Sequence, residues 1–285
     1  MRDSEGAGTT VEERYTTFDA VAEDYDRTFT YTPLGRELRA RVWQRLAARF
    51  PVGSRVLELN CGTGEDAAWL AAHGVEVIAT DASPAMLTVT KRKTAKLAVE
   101  VMQIDLARPQ ADFPPASLDG AFSNFGGLNC VDDLHPLAHA LSVWLKSGAT
   151  LILVVMGPLC PWEILWHLLR GQPHTAFRRW TRGGAEARIG ERRLQVYYPW
   201  PGDIRRVFAP EFRAVGIMGL GVMLPPSYIR HLVERWPQTF EWLARLERRL
   251  AAHFPATVLN DHYVLELERV TDGILARQPP IGSRG

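Results

Sequence analysis

One run of residues constrains this chain more than any other: Val56-Leu57-Glu58-Leu59-Asn60-Cys61-Gly62-Thr63-Gly64-Glu65. An apolar strand runs into an acidic residue, then a tight glycine turn, then a helix that opens with Glu65 and Asp66. That order places free backbone N–H groups and a carboxylate at the carboxyl end of a buried strand, where ligands bind in open α/β sheets. A second apolar strand, Val77-Ile78-Ala79-Thr80, ends in Asp81. The step from Gly62 to Asp81 matches the roughly 20-residue spacing between a nucleotide-binding turn and a ribose-binding carboxylate. Strands read at 55–59, 76–80, 99–104, 118–123 and 149–156, each apolar on both faces as parallel strands covered by helices should be. Helices fall between them at 65–73, 84–96 and 133–145. The alternation predicts a doubly wound, mostly parallel α/β sheet with right-handed crossovers.

The turn argues against a dinucleotide. A pyrophosphate site wants Gly-x-Gly-x-x-Gly, so that backbone can approach phosphates. Here Glu65 and Asp66 stand where phosphates would lie, and no third glycine follows. Those acids repel an anion and welcome a cationic or zwitterionic nucleoside. S-adenosylmethionine, with its ribose, amino-acid tail and sulfonium, fits that description. Taken singly, Asp81 could be no more than an N-cap, since Ser83 and Pro84 open a helix. Acids at successive strand ends make the ligand site the better reading.

The run VLELNCGTGEDAAWLAAHGVEVIATDASPAML, followed by VMQIDL and LDGAFSNFGGLN, resembles the class I S-adenosylmethionine-dependent methyltransferases of the small-molecule type. Phe18-Asp19 with Tyr25-Asp26 looks like the amino-terminal helix of such members. The resemblance covers residues 15–157 well and the rest in outline. It implies a seven-stranded Rossmann-like sheet with S-adenosylmethionine as cofactor and S-adenosylhomocysteine as product. It also implies roles. Glu58, Asn60, Cys61, Gly62, Thr63 and Gly64 wrap the methionine part with their backbone, and Tyr25 of the amino-terminal helix also binds the cofactor. Asp81, with Ala82, holds the ribose hydroxyls, and Met86 packs on the adenine. Asp105 with Leu106 recognises the adenine edge. Ser123, Asn124 and Phe125 face the reacting sulfonium. Where the family usually has glycine this chain has Asn60, a residue type that tolerates the positive φ expected there.

Residues 1–50 read as an amino-terminal helical cap, 51–158 as the cofactor-binding core and 159–200 as a lid inserted after the fifth strand. Residues 201–270 complete the sheet, and 271–285 form a polar tail. Helices are expected at 15–29 and 34–49, with 1–12 disordered. Later elements are a helix at 161–170, a strand at 194–198, a helix near 202–210, a strand near 213–224, a helix pair near 226–254 and a strand at 262–269. Trp162, Leu165, Trp166 and Leu169 share one face of the 161–170 helix. The lid hangs over the strand ends, so Trp162, Trp166, Tyr197, Tyr198 and Tyr228 are candidates to contact an apolar acceptor.

Methyl transfer is an in-line displacement that needs alignment and exclusion of water; a base is required only for an acceptor with a tightly held proton. His167, four residues after Glu163, and His262, beside Asp261, are the candidate bases. The Asn124-Phe125-Gly126-Gly127 segment lacks the paired prolines of nucleic-acid amino methyltransferases. Fifteen Arg and eight acids in 159–254 give that stretch +7 against −6 elsewhere, but all four lysines lie outside it. A solvated arginine-rich face is the reading, not a nucleic-acid surface. Cys61, Cys130 and Cys160 form neither a disulfide framework nor a zinc pattern, and no metal is expected. The longest apolar stretch is too short to span a bilayer. With no apolar signal segment, a cytoplasmic enzyme acting on a small molecule is expected, with a homodimer left open. Two alternatives stand beside methyl transfer: alkyl transfer or cyclisation of the methionine tail, and methylation of a lipid quinone or isoprenoid at the membrane surface.

Overall fold

The computed structural model describes residues 17–271, except 182, 190, 191, 230–232 and 234. The amino-terminal segment 1–12 and all but the first residue of the 271–285 tail lie outside these residues. Nine strands are described: β1 (Arg55–Glu58), β2 (Glu76–Asp81), β3 (Val99–Gln103), β4 (Leu118–Ser123), β5 (Leu145–Met156), β6 (Ala185–Ile189), β7 (Arg192–Val196), β8 (Phe212–Leu220) and β9 (His262–Arg269). The longer helices are α1 (Pro33–Arg49), α2 (Glu65–Ala72), α3 (Pro84–Thr94), α4 (His135–Trp144), α5 (Pro161–Leu169), α6 (Pro201–Phe208) and α7 (Pro237–Leu250). Seven strands form one sheet in the order β3-β2-β1-β4-β5-β9-β8, and β6 and β7 pair in a separate hairpin. β1 to β5 run parallel; β9 runs antiparallel to both β5 and β8. This is the mostly parallel α/β sheet that the strand–helix alternation predicts, with the seven strands that the resemblance implies.

Period-two alternation explains how both faces are buried. Along β5, Leu151, Leu153 and Val155 join a core with Leu137 and Leu141 of α4 and Ile204 and Phe208 of α6. Ile152 and Val154 face the other way, into a core with Leu38, Val42 and Leu46 of α1 and Leu70 of α2. Each such side chain contributes roughly 1.5–3 kcal/mol on burial. Helix starts follow local chemistry. Thr32 accepts the Gly35 N–H at 3.0 Å ahead of Pro33, and Ser83 accepts that of Met86 at 3.1 Å ahead of Pro84.

Several expectations shift. β3 is not buried on both faces: it is an edge strand paired only with β2, and its residues are half-buried or exposed. The amino-terminal stretch is not one helix through 29. A helical turn at 17–19 gives way to turns and then to a π-helical segment, Asp26–Thr30. β5 begins at Leu145 rather than 149. The strand expected at 194–198 is β7, and its partner β6 was unforeseen. Of the helix pair near 226–254, α7 is present; the first part opens with a 3-10 turn at Ser227–Ile229, and Val233 and Arg235 are helical, with 230–232 and 234 outside the described residues. No helix among the described residues is long and apolar enough to cross a membrane.

Candidate functional site

A cavity of about 820 Å³ opens at the carboxyl ends of β1, β2 and β4. Its first wall is the glycine turn. Gly62 and Gly64 adopt left-handed φ of +53° and +76°. The Gly62 N–H donates to Asp81 Oδ2 and the Ser83 N–H to Asp81 Oδ1, each at 2.9 Å. Asp81 therefore ends its strand and clamps the turn, and each oxygen keeps a lone pair for a further donor. Burial pushes the Asp81 carboxyl above its usual range, against the N–H donors of Ser83 and Gly62. A Cβ at Gly62 would meet no atom within 4 Å, whereas one at Gly64 would lie 2.6 Å from Thr90 Cγ2. Gly62 thus leaves an open cradle at the cavity wall, and Gly64 makes a close packing contact.

Asn60 does not take the positive φ expected of it; among the described non-glycine residues only Ala116 and Phe125 do. Its side chain is a bracket. Nδ2 donates to the Asn124 carbonyl and Oδ1 accepts from Ser123 Oγ, tying the ends of β1 and β4 together. Phe125, at φ +48°, is held there by three neighbours: the Arg39 guanidinium 5.1 Å from its ring, Phe29 at 5.3 Å and His262 at 5.8 Å. A non-glycine residue in this conformation costs about 1–3 kcal/mol, and such strain clusters at functional sites.

The acids at the start of α2 are not bare. Asp66 accepts from Arg39, from Trp43 Nε1 at 2.6 Å and from Asn124 Nδ2 at 2.8 Å. Glu65 is paired with Lys93 at 2.8 Å. Their exclusion of an anion is correspondingly weaker than two free carboxylates would give. Beneath them Glu58 is fully buried. Burial pushes its carboxyl well above the usual range; Asp66 and Asp81 act the same way, and Arg39 opposes them. The amino-terminal segment closes this wall. Asp26 accepts from Thr63 Oγ1 at 2.6 Å and Lys93 Nζ at 2.7 Å, and Asp19 accepts from Ser83 Oγ.

The second wall comes from described residues between 178 and 198 and the start of β9. Its organiser is Arg179, only 6% exposed. It donates to Glu163 Oε2 at 2.7 Å, to Asp261 Oδ1 at 2.6 Å, and to the Gly157 and Asp261 carbonyls at 3.1 Å. Its guanidinium also lies 5.1 Å from the Tyr198 ring. Against burial, which acts to raise it, the Arg179 charge and then His262 hold the Asp261 carboxyl well below the usual carboxylate range. His262 Nδ1 stands 3.1 Å from Asp261 Oδ2. The arginine-rich stretch is thus not wholly a solvated face.

Of the residues singled out from the sequence, Tyr25, Asn60, Cys61, Gly62, Asp81, Ala82, Met86, Asp105, Leu106, Asn124, Phe125, Tyr198 and His262 line the one cavity. Glu58, Thr63, Gly64 and Ser123 sit behind its wall. Trp162, Trp166, His167 and Tyr197 are not part of the lining. Trp162 Nε1 donates to the Met223 carbonyl at 3.0 Å, and Trp166 packs under Arg170 at 4.1 Å. Glu163 does not orient His167; it binds Arg178 and Arg179, and His167 Nδ1 lies 2.9 Å from Gln172 Oε1. The Tyr228 side chain lies outside the described residues. Sequence reading missed Arg39 and Arg179. Arg39 directly follows Leu38 of the Leu34, Leu38, Val42, Leu46 stripe, which is a weak signal. Arg179 gave none. Among the described residues no cluster of His, Cys, Asp or Glu could hold a metal ion.

Residues 56–148 match the family model of a methyltransferase domain. Over that stretch the chain is similar to methyltransferase domains. A demethylmenaquinone methyltransferase of Clavibacter sepedonicus is 36% identical over 137 residues, which are 48% of this chain and 55% of that protein. The chain therefore spans little more than half the length of the curated relatives it matches. Two solved structures share the fold. The 4+2 cyclase SpnF aligns with a TM-score of 0.62 at 13% identity, over 95% of this chain and all of its own. A methyltransferase of Mesorhizobium loti aligns with a TM-score of 0.51 at 18% identity, over 80% of this chain and 97% of its own.

Proposed function

We propose that the chain binds S-adenosylmethionine at the glycine-turn wall and methylates a small, apolar or aromatic acceptor held at the other wall. The observation that carries this reading is a single cavity joining Gly62, Asp81 and Asp105 to Tyr198 and His262. The cofactor fits the residues present: the open cradle at Gly62, the remaining lone pairs of Asp81 for ribose hydroxyls, Met86 against the adenine, and Asp105 with Leu106 at its edge. When bound, it supplies a methyl group on a sulfonium leaving group. The protein's own work is alignment and exclusion of water, and orientation alone can supply on the order of 7–11 kcal/mol. Tyr25, Asn124 and Phe125 border the reacting region. His262, with Asp261 at its Nδ1, takes the acceptor's proton at the other ring nitrogen. Asp261, kept ionised by Arg179, offers such an imidazolium a counter-charge at ion-pair distance, without a hydrogen bond to Nδ1 in this structure. Residues 159–200 act as the lid.

The names of the curated relatives make a demethylmenaquinone-like quinol the first acceptor to try. Three free cysteines suit a reducing compartment, and we place the enzyme in the cytoplasm. Calorimetry with S-adenosylmethionine tests the cofactor: no binding ends the reading. Turnover of His262→Ala across pH tests the base. A loss of roughly 10²–10⁴ in kcat is expected, with cofactor affinity intact; wild-type kcat at every pH would remove His262 from the role. The likeness to a cyclase favours a second reading, in which the cofactor is bound but not consumed. Mass spectrometry separates the two. S-adenosylhomocysteine with a methylated acceptor supports methyl transfer, unchanged cofactor with an isomerised acceptor supports cyclisation, and methylthioadenosine would point to use of the methionine tail.

A further inference from the structure

A second, apolar groove lies away from the first cavity. It measures about 390 Å³ and runs between α5, the segment after β8 and the segment after α7. Of its twelve lining residues only His253 has an ionisable side chain. Its lips stand in solvent: Leu165 is 55% exposed on one side and Phe254 84% on the other. Leu169, 77% exposed, follows Leu165 one turn along the same face of α5. Trp236 precedes α7 and Trp242 lies on it, each 57% exposed. Single exposed apolar side chains need no explanation, but a cluster around a groove marks a contact surface.

The charge beside the groove is positive. Trp242, Arg245 and Arg249 form one stripe of α7 by three- and four-residue spacing. Arg245 donates to the Glu241 carbonyl, and Arg248 is paired with Glu37. Neither Arg245 nor Arg249 has an ion-pair partner among the described residues. Glu241 is the exposed acid of α7, and Glu247 is buried. The whole stretch 159–254 carries +7.

We propose that this face docks on an anionic lipid bilayer. The tryptophans and leucines enter the interfacial layer, the groove accepts an acyl chain, and Arg245 and Arg249 meet the headgroups. Exposed aromatic and leucine side chains beside cationic ones are what an interfacial element presents to such a surface. The chain's own ends fit the groove poorly. Residues 1–16 are mostly polar and include four acids, so they offer little to an apolar cleft. The segment after 271 is reached from the far end of the sheet, because β9 runs from His262, opposite Met156, to Glu268, opposite Thr150. The proposal does not depend on which reaction the first cavity performs.

The test is co-sedimentation of the full chain with vesicles of phosphatidylcholine alone or mixed with phosphatidylglycerol, at low and high salt. Binding is expected only to the anionic vesicles, and it should weaken at high salt. Arg245→Gln with Arg249→Gln should lower the partition coefficient roughly 10- to 30-fold. Trp242→Ser with Phe254→Ser should lower it at both salt concentrations. Circular dichroism and cofactor titration, unchanged in both variants, show that each remains folded. Equal binding to both vesicle types, no binding to either, or variants that bind like the parent would overturn the proposal. So would light scattering that shows a dimer dispersed by the Trp242 and Phe254 changes, which would assign the face to a second copy.

Discussion

The two walls of the main cavity are built in opposite ways. The glycine-turn wall is backbone: N–H groups aimed by left-handed glycines, with acids placed at successive strand ends. The far wall is side chains, drawn from the 3-10 turn Arg178–Trp180, the β6–β7 hairpin and β9, and held by one arginine that Glu163 of α5 braces from behind. A backbone wall is set by the sheet and tolerates change in what surrounds it. A side-chain wall depends on whichever group holds its parts together. That contrast also suits the proposed division of labour, with an invariant cofactor on the first wall and an acceptor of the chain's own choosing on the second.

Arg179→Ala should test the contrast most severely. It leaves Glu163 with Arg178 alone and leaves Asp261 buried beside an imidazole. Breaking a buried ion pair from one side costs about 3–5 kcal/mol, because the remaining charge is uncompensated. Urea denaturation should read that loss, and the acceptor KM should rise while cofactor affinity changes little. If calorimetry shows cofactor affinity falling in step, the walls are not separable. A loss under about 1 kcal/mol would mean that Arg179 is a passenger.

Within the first wall, two neighbouring glycines should respond differently. Gly64→Ala puts a Cβ into Thr90 at a positive φ, so strain and overpacking should together cost about 2–4 kcal/mol of stability. Gly62→Ala meets no protein atom, so its stability cost should be the conformational part alone, about 1 kcal/mol. Its methyl group occupies the cradle instead, and cofactor Kd should rise about tenfold or more, equivalent to roughly 1.4 kcal/mol. Equal Kd values for Gly62→Ala and the parent would show that the cofactor lies elsewhere.

How much of this was legible in sequence follows the same division. The strand ends, the turn and Asp81, Asp105 and Asn124 were readable, because short continuous apolar runs locate strands buried on both faces and glycine marks the turn that must follow. β3 was over-read as buried on both faces, since an edge position is a matter of topology and not of local pattern. Asn60 was assigned a backbone role, and its side-chain bracket to Ser123 and Asn124 joins positions more than 60 residues apart. β6 escaped notice because Ala185–Ile189 carries charged residues at alternate positions and no turn dipeptide follows it. Arg179 was illegible for a plain reason: its carboxylate partners lie 16 and 82 residues away, and it is one of fifteen arginines in its stretch.

A pH dependence separates the walls by sign. Glu58 has a folded-state pKa raised above its ordinary value near 4.5. The native state therefore holds that proton when the unfolded chain has released it. The resulting stability is complete below about pH 4.5 and is lost as pH rises toward the folded value, by at most about 1.4 kcal/mol per pH unit. Asp261 is the reverse: its folded pKa lies below its ordinary 3.8, so its contribution is complete above that pH and is lost as pH falls through the folded value. Glu58→Gln should flatten the decline on the alkaline side and leave the acid side unchanged. Asp261→Asn should lower stability at neutral pH and flatten the acid side. Denaturation midpoints at a series of pH values read both slopes. If Glu58→Gln leaves the alkaline slope as steep as in the parent, the carboxyl is ionised in the native protein. Arg39, which already opposes the upward shift, would then be the group that keeps it so.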